Sequence, residues 1–459
     1  MVYNFFERCL FQGRMLQYLA VFGANISLVS MGMHFGWPSS SIPILMNENF
    51  IHQFTMIETS VLVSLIPLGA IPGSLLGEII SDLTGRRNLI VISTIPLVVS
   101  WLLLAFGTLK YFYFVARFLA GIADGLLYTI IPAYTAEISD PEIRGMLGSL
   151  LQMFMNFGML FINVLYFILN DSLTTVAYVG AGLSITTLFI VPLMPESPYV
   201  HIQNRNMTAA EDCLKRLKGK SDISIEMKRI CEGMFIEKKD NDKESCVILS
   251  RYKKCLLISV GMTFVQHFSG MIAIQSYCEI LFSFQTFISP KLANILYFVT
   301  FFLSNFALLF WVDYCGRKPL LLFSISICCL ALSIHALYLL LKDRLDLNQS
   351  SLDSVELFAV LIFTSAYSAG LQTLPILITS EIFPTNLKST AQCIGNIGYS
   401  VYSTMVVIMF SFFSENDALY VPFFIFALVC LLGVIFVVKF VPETKHKTLE
   451  EIQLSLKQL

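Results

Sequence analysis

What this 459-residue chain has least of is charge: 14% of its residues are Asp, Glu, Lys or Arg, against roughly 25% in soluble globular proteins. That shortfall excludes a freely soluble domain. The 30 Lys+Arg and 32 Asp+Glu nearly cancel, leaving a net charge of -2, so there is no basic excess to neutralise phosphates and no nucleic-acid partner is expected. The 11 Cys form neither CxxC pairs nor His/Cys clusters at metal-ligand spacing, so they read as free, buried small hydrophobes, and no metal or cofactor is implied. No Walker A or Rossmann glycine pattern follows a predicted strand, and no Ser/His/Asp arrangement stands out. ATP-driven transport and an embedded enzyme are therefore without support. The N-terminal MVYNFFERCLFQGR lacks the order of a cleaved signal peptide, so the first apolar run is expected to be an uncleaved span.

What the chain has in abundance is long apolar runs, 56% of it being hydrophobic. Runs of about 20 apolar residues can each cross a hydrocarbon core roughly 30 Å thick. Twelve are predicted, over 16–37, 57–81, 88–109, 111–137, 146–169, 173–194, 254–282, 291–312, 318–341, 355–382, 389–413 and 418–440. The expected fold class is an all-α integral membrane protein: an N-terminal six-helix half (1–194), a linker with short amphipathic helices (195–253), a C-terminal six-helix half (254–440) and a tail (441–459). Lys and Arg mark cytoplasmic loops. With both termini inside, all fall in cytoplasmic segments except Lys110, Lys291, Lys342, Arg344 and the in-span Arg117. The sequons at Asn170 and Asn348 then lie on external loops, where glycosylation is expected, whereas the one at Asn206 lies inside.

An internal repeat runs through the chain. Asp82-Leu83-Thr84-Gly85-Arg86-Arg87 recurs as Asp313-Tyr314-Cys315-Gly316-Arg317-Lys318; Glu137 and Arg144 recur as Glu381 and Lys388; Pro195-Glu196-Ser197 recurs as Pro442-Glu443-Thr444. Three pairs in one order, each at the cytoplasmic end of the equivalent helix, indicate two halves built from one unit in parallel orientation. Charges near hydrocarbon need partners. The expectation is a ring of ion pairs between the halves, with Asp82 meeting Arg86, Arg87 or Arg144, Glu137 meeting Arg317, and Glu381 meeting Arg86 or Lys388. Asp313, Lys318, Glu196 and Glu443 belong to the same gating set, which would latch the cytoplasmic side shut. A plainer role as topology anchors stands beside it.

These motifs resemble those of the major facilitator superfamily, and within it the sugar porter family. The likeness extends to Arg117-Phe118 with Gly121, Gly125, Pro132 and Glu137, to Pro195-Glu196-Ser197-Pro198, to Gln266-His267-Phe268-Ser269-Gly270, and to Pro442-Glu443-Thr444-Lys445-His446-Lys447-Thr448. Phe35-Gly36-Trp37-Pro38-Ser39-Ser40 is similar to the insect trehalose-carrier branch. The resemblance implies alternating access by a plasma-membrane monomer in a lipid bilayer, with a small sugar such as trehalose or glucose bound between the halves. It puts Gln152 and Gln266 in the pocket, and His267, Ser269, Gln372, Asn396 and Tyr399 beside them.

The chain also departs from the family pattern. His267 stands for a second glutamine, Ile272 for an asparagine, Ser368 for a glutamate, Tyr399-Ser400 for an Asn-Trp pair, and Gly370–Ile376 for GPGPIPW. Either the pocket is rebuilt for a different polar solute or tight sugar recognition has been lost. The aspartate that proton-coupled members carry in the first span aligns with Pro38, so downhill transport is expected. Asp124, Arg117 and His34 remain as an intramembrane proton site or ion pair, Asp124 two turns from Arg117 on one helix. Tyr277 and Glu279 sit where an external gate would form, or serve as interfacial residues. A non-transporting sensor that kept the fold is the rival from another class, and the short segment after the last span argues against it.

Overall fold

The computed structural model describes residues 13–443 apart from 51, 141, 220–222, 225, 229, 232–252, 285–287, 346–352, 384–387 and 417. Asn348 of the second sequon lies outside them, and so do the side chains of Asp82, Asp313 and Lys388. Within the described residues eleven helices are long and apolar enough to cross a membrane. The N-terminal six are α1 (Arg14–Leu45), α2 (Met56–Thr84), α3 (Arg86–Phe106), α4 (Lys110–Ile138), α5 (Arg144–Ile168) and α6 (Leu173–Ile190). Two short helices follow, α7 (Pro198–Gln203) and α8 (Met207–Lys218). The seventh span is broken into α9 (Lys253–Phe268), α10 (Met271–Ser276) and α11 (Cys278–Leu281); Gly270, at φ 85°, marks the break. Then come α12 (Pro290–Cys315), in the place of the eighth predicted run, α13 (Arg317–Leu345), α14 (Asp353–Ala366), α15 (Leu374–Ile382), α16 (Lys388–Glu415) and α17 (Tyr420–Phe440).

The first helix outruns its prediction. It passes through Pro38 and Pro43 to Leu45 instead of ending at Trp37. Proline has no N–H and cannot serve the carbonyl four residues back, but neighbouring helices can satisfy that carbonyl in a membrane protein. Here the acceptor that Pro38 strands is His34 O, and Arg117 Nη1 of α4 donates to it at 2.5 Å.

Lipid tails give no hydrophobic drive between helices, so close backbone approach and interhelical hydrogen bonds hold the bundle. Gly121 and Gly125 supply the first against α2. A Cβ on either would come within 2.3 Å of a carbonyl oxygen, Ile66 O or Ala70 O respectively. Buried side chains form two cores, one centred on α1–α6 and one mainly on α9–α17, to which Ile42, Met56, Val63, Met155 and Met159 also belong. The linker helix α8 packs Ala210, Cys213, Leu214 and Leu217 inward. Gln17 Nε2 donates to Leu217 O at 2.9 Å, and Lys218 pairs with Asp140, so α8 is fastened to the first half.

The tenth span winds into a π segment over Tyr367–Leu371 between α14 and α15. Its cause is Ser324 of α13, whose Oγ donates to Ala366 O (2.6 Å) and accepts from the N–H of Leu371 (3.0 Å). A side chain inserted into the hydrogen-bond ladder forces the extra residue into the turn. Gln372 follows at once.

Candidate functional site: a cavity between the halves

A cavity of about 190 Å3 lies between the two halves. The first half contributes Asp124 and Tyr128 of α4, Gln152 of α5 and Phe35 of α1; the second contributes Gln266 and His267 of α9, Gln372, and Asn396 and Tyr399 of α16. The amides are arranged as a relay. Tyr128 Oη donates to Gln152 Oε1 (3.2 Å), Gln152 Nε2 to Asn156 Oδ1 (3.0 Å), and Gln372 Nε2 crosses between halves to the same oxygen (3.3 Å). Asn305 Nδ2 donates to Gln372 Oε1 (3.2 Å) and Gln266 Nε2 to Gln372 O (2.8 Å). The His267 ring tilts against Tyr399 with centroids 4.8 Å apart. Convergent amides and phenols set in an apolar wall can exchange their mutual hydrogen bonds for those of a polar solute.

Of the pocket residues expected from sequence, Gln152, Gln266, His267, Gln372, Asn396 and Tyr399 line this cavity. Ser269 is a correction. It is buried where α9 ends, its Oγ donates to Gln266 O at 2.7 Å, and it is not among the lining residues. Sequence reading missed Tyr128 and Asn156, although each lies four residues after a singled-out polar residue (Asp124, Gln152) on the same helix face.

Of the two roles expected for Asp124, Arg117 and His34, a proton site or an ion pair, the described residues show no ion pair between Asp124 and Arg117. Arg117 is 1% exposed; besides His34 O its Nε donates to Leu62 O (3.3 Å), and its guanidinium lies 5.5 Å from the Trp37 ring centroid. Two of its nitrogens thus donate to backbone carbonyls. Asp124 is 3% exposed in the cavity wall, and its Oδ1 has no hydrogen-bond partner among the described residues. His34 lies away from the cavity, stacked on Trp101 at 3.9 Å with Ser100 Oγ 3.3 Å from its Nε2, an ordinary buried helix contact.

One end of the cavity is closed. Asn294 of α12 sits in a knot with α1 and α5: Ser39 Oγ donates to its Oδ1 (2.7 Å), and its Nδ2 donates to Ser40 Oγ (3.0 Å) and Asn163 Oδ1 (2.9 Å). Gln275 Nε2 donates to Phe35 O (3.3 Å), Tyr277 Oη lies 3.3 Å from Thr59 Oγ1, Ser411 Oγ donates to Met56 O (2.9 Å), and Lys291 pairs with Asp171. Tyr277 thus joins the halves here, and Asn170 is exposed on the same face. Toward the opposite face, which carries the Gly-Arg loops, the lining runs out to Ser74, Ser259, Thr379 and Ala391. That is the side from which this conformation admits solute.

On the charged-loop face the repeated charges pair differently from the expectation. Glu137 takes Arg86 of its own half (3.2 Å) rather than Arg317, and Glu381 takes Arg317 (3.4 Å) rather than Arg86. With the cavity mouth between the halves, each half-buried carboxylate is compensated by the nearest cation of its own half. Glu196 and Glu443 do something else again. Glu196 Oε1 accepts from the N–H groups of Arg86 and Arg87, each at 3.0 Å, and Glu443 accepts from those of Arg317 and Lys318, each at 3.0 Å. These carboxylates cap the N-termini of α3 and α13, where unpaired N–H groups and the positive end of the helix dipole favour an anion. The two N-caps Gly85 (φ 92°) and Gly316 (φ 82°) turn the chain where the carboxylates approach; a Cβ on Gly85 would lie 2.7 Å from Glu196 Oε2. Arg87 Nη1 donates to Met194 O (3.3 Å), Lys318 Nζ to Val438 O (3.0 Å), and Arg144 Nη2 to Ser139 O (3.4 Å).

The family model for sugar (and other) transporters matches residues 14–456. The chain is 27% identical over 451 residues to the facilitated trehalose transporter Tret1 of Bombyx mori, covering 96% of this chain and 86% of that one. It is 28% identical over 445 residues to the Tret1 of Anopheles gambiae, covering 95% of this chain but spanning only 55% of the mosquito protein. Among solved structures it is similar to the inward-open xylose transporter XylE from E. coli, with a TM-score of 0.80 at 20% identity over 96% of this chain and 99% of that one. At that identity the structural likeness shows the fold, and the family match supplies the rest. The match over residues 14–456 places this chain in the sugar (and other) transporter family, and its two halves around a central cavity have the fold of the xylose transporter.

Proposed function

We propose that this chain is a facilitative carrier of a small sugar, glucose or trehalose, working by alternating access in the plasma membrane with both termini cytoplasmic. The observation that carries the reading is the amide relay from Gln152 through Asn156 to Gln372. It joins the lining residues Gln152 and Gln372 of the two halves through the buried Asn156 behind the cavity wall, so a solute bound to those amides senses the relative position of the halves. A buried sugar hydroxyl left unpaired costs about 1–3 kcal/mol, and the amides of Gln152, Gln266, Gln372 and Asn396 supply both donors and acceptors. The volume, about 190 Å3, is below the roughly 300–1,000 Å3 of pockets for drug-sized ligands and favours the monosaccharide.

In this reading residues 1–194 and 254–440 rock as two units about the site, 195–253 links them, and 441–459 is a cytoplasmic tail. With the charged-loop face taken as cytoplasmic, the cavity mouth lies on the cytoplasmic side. Closing that side brings Asp82, Arg86, Arg87, Glu137 and Arg144 toward Asp313, Arg317, Lys318, Glu381 and Lys388, so the pairs seen within halves exchange for pairs between them and set the balance of states. The trehalose part of the proposal rests on the names of the insect relatives, and glycosylation at Asn170 on its exposure opposite the charged loops.

The test is uptake of labelled glucose, trehalose and fructose in a transporter-null cell at two external pH values, with Gln266→Ala beside the parent. Saturable, pH-insensitive uptake that the substitution reduces at least tenfold supports the reading. Absence of uptake from a surface-expressed parent overturns it.

A further inference from the structure

Asp124 is a charged-type group of the lining that takes no part in the relay. Asp124 is a carboxylate 3% exposed, its Oδ1 has no partner among the described residues, and Arg117, two turns away, is engaged with the carbonyls of His34 and Leu62. No Lys or Arg stands among the residues lining the cavity. A carboxylate in a low-dielectric wall is costly unless it takes up a proton or a cation meets it, and a solute that brings an ammonium group into the cavity supplies that cation. Around it stand aromatic rings, Tyr128, Tyr399 and Phe35, whose faces attract cations. The amides of Gln152 and Gln266 complete a wall suited to a solute that carries hydroxyls at one end and positive charge at the other.

From this geometry we infer that Asp124 selects for a positively charged amino substituent, so that the carrier takes a protonated amino sugar in preference to its neutral counterpart. The inference rests on the cavity being the transport site. The carboxylate pairs with the ammonium, the phenol rings flank it, and the relay amides address the remaining hydroxyls. An amide at position 124 keeps the shape and loses the charge.

The experiment uses the full chain at the surface of a transporter-null cell, with labelled glucosamine and glucose at neutral pH. The expected result is a kcat/KM for glucosamine at least tenfold above that for glucose; in Asp124→Asn the ratio collapses toward one, and in Asp124→Glu the preference persists. A second measurement needs no variant. On the parent, glucosamine competes with labelled glucose at least tenfold better than N-acetylglucosamine, which lacks the charge. Equal competition by the two overturns the inference, as does an unchanged ratio in a surface-expressed Asp124→Asn. Glucose entry without glucosamine entry overturns it and leaves the sugar-carrier reading standing, whereas entry of neither sugar overturns both. Glucose uptake driven by an imposed proton gradient and uncoupled from it in Asp124→Asn would assign the carboxylate to a proton and overturn the amine.

Discussion

Arg117 Nη1 donates at 2.5 Å to the carbonyl of His34, the acceptor that Pro38 leaves without an intrahelical partner four residues further on. A proline on α1 and an arginine on α4 thus answer one another: the ring removes a donor and the guanidinium replaces it. Replacing Arg117 by Leu strands a buried carbonyl, and a stranded buried group costs about 1–3 kcal/mol. Thermal unfolding of the purified variant in detergent is expected to start several degrees lower. Pro38→Ala beside Arg117→Leu restores the helical donor and recovers part of the loss; a double variant no better than the single one would refute the pairing.

The helix caps give a second expectation. Glu443→Ala removes the acceptor for two N–H groups at the start of α13, as Glu196→Ala does for α3. Loss of a side-chain cap costs about 0.5–2 kcal/mol. Both variants are expected to unfold earlier, while Glu→Gln, which keeps an acceptor and loses the charge, falls between parent and Ala. A cap role predicts that ranking. A pure charge latch predicts that Gln and Ala behave alike, so the melting order of the three proteins decides between them.

Acid should loosen the attachment of the linker. Partial burial pushes the Asp140 carboxyl upward, but the hydrogen bond and charge of Lys218, with Gln17 and Arg14, outweigh it and hold it below its ordinary value of 3.8. A group held lower in the folded than in the unfolded chain contributes stability that is complete above its ordinary value and is lost as pH falls through the folded one. The protection of α8 amides, measured relative to their intrinsic exchange rates at each pH, is therefore expected to fall below about pH 4 in the parent. In Lys218→Ala it should be lower at neutral pH and less responsive to acid. Equal pH responses would show that this pair does not tie α8 down.

At the closed end, Asn294 holds three hydrogen bonds to α1 and α5. Asn294→Ala leaves Ser39, Ser40 and Asn163 to water or to one another, which lowers the cost of parting the halves on that side. An impermeant thiol reagent applied from outside to a Gln275→Cys reporter, in an otherwise cysteine-free chain, is expected to react several-fold faster in the Asn294 variant. An unchanged rate would place the gate elsewhere on that face.

Much of the molecule is legible in order along the chain. Apolar runs of bilayer length, punctuated by Gly-Arg loops, point to the helix count and the two-unit plan, because in hydrocarbon backbone groups must be satisfied inside the protein, most of them within their own helix. The same run length misplaced the end of α1, since an internal proline breaks a helix only where nothing else can serve the stranded carbonyl. Gln152, Gln266, His267, Gln372, Asn396 and Tyr399 could be named in advance from their places in the motifs that carry the family resemblance, and they line the cavity. Their partners could not: that Gln372 reaches Asn156 depends on Ser324 winding the tenth span by one residue, a contact between α13 and the segment after α14.

The charges divide in the same way. The repeat shows by itself that Arg86, Glu137, Arg317 and Glu381 occupy equivalent places, but equivalence says nothing of which carboxylate meets which cation. Only the packed structure, with its cavity open between the halves, decides that each pairs at home. It also decides that Glu196 and Glu443 cap helices, and that Arg117 donates to carbonyls while Asp124 Oδ1 stands in the cavity wall without a partner among the described residues. Hydrophobic length is a property of consecutive residues and can be read from one dimension. Partner choice among buried polar groups depends on distances of a few ångströms between segments far apart in the chain, and only the tertiary structure sets those.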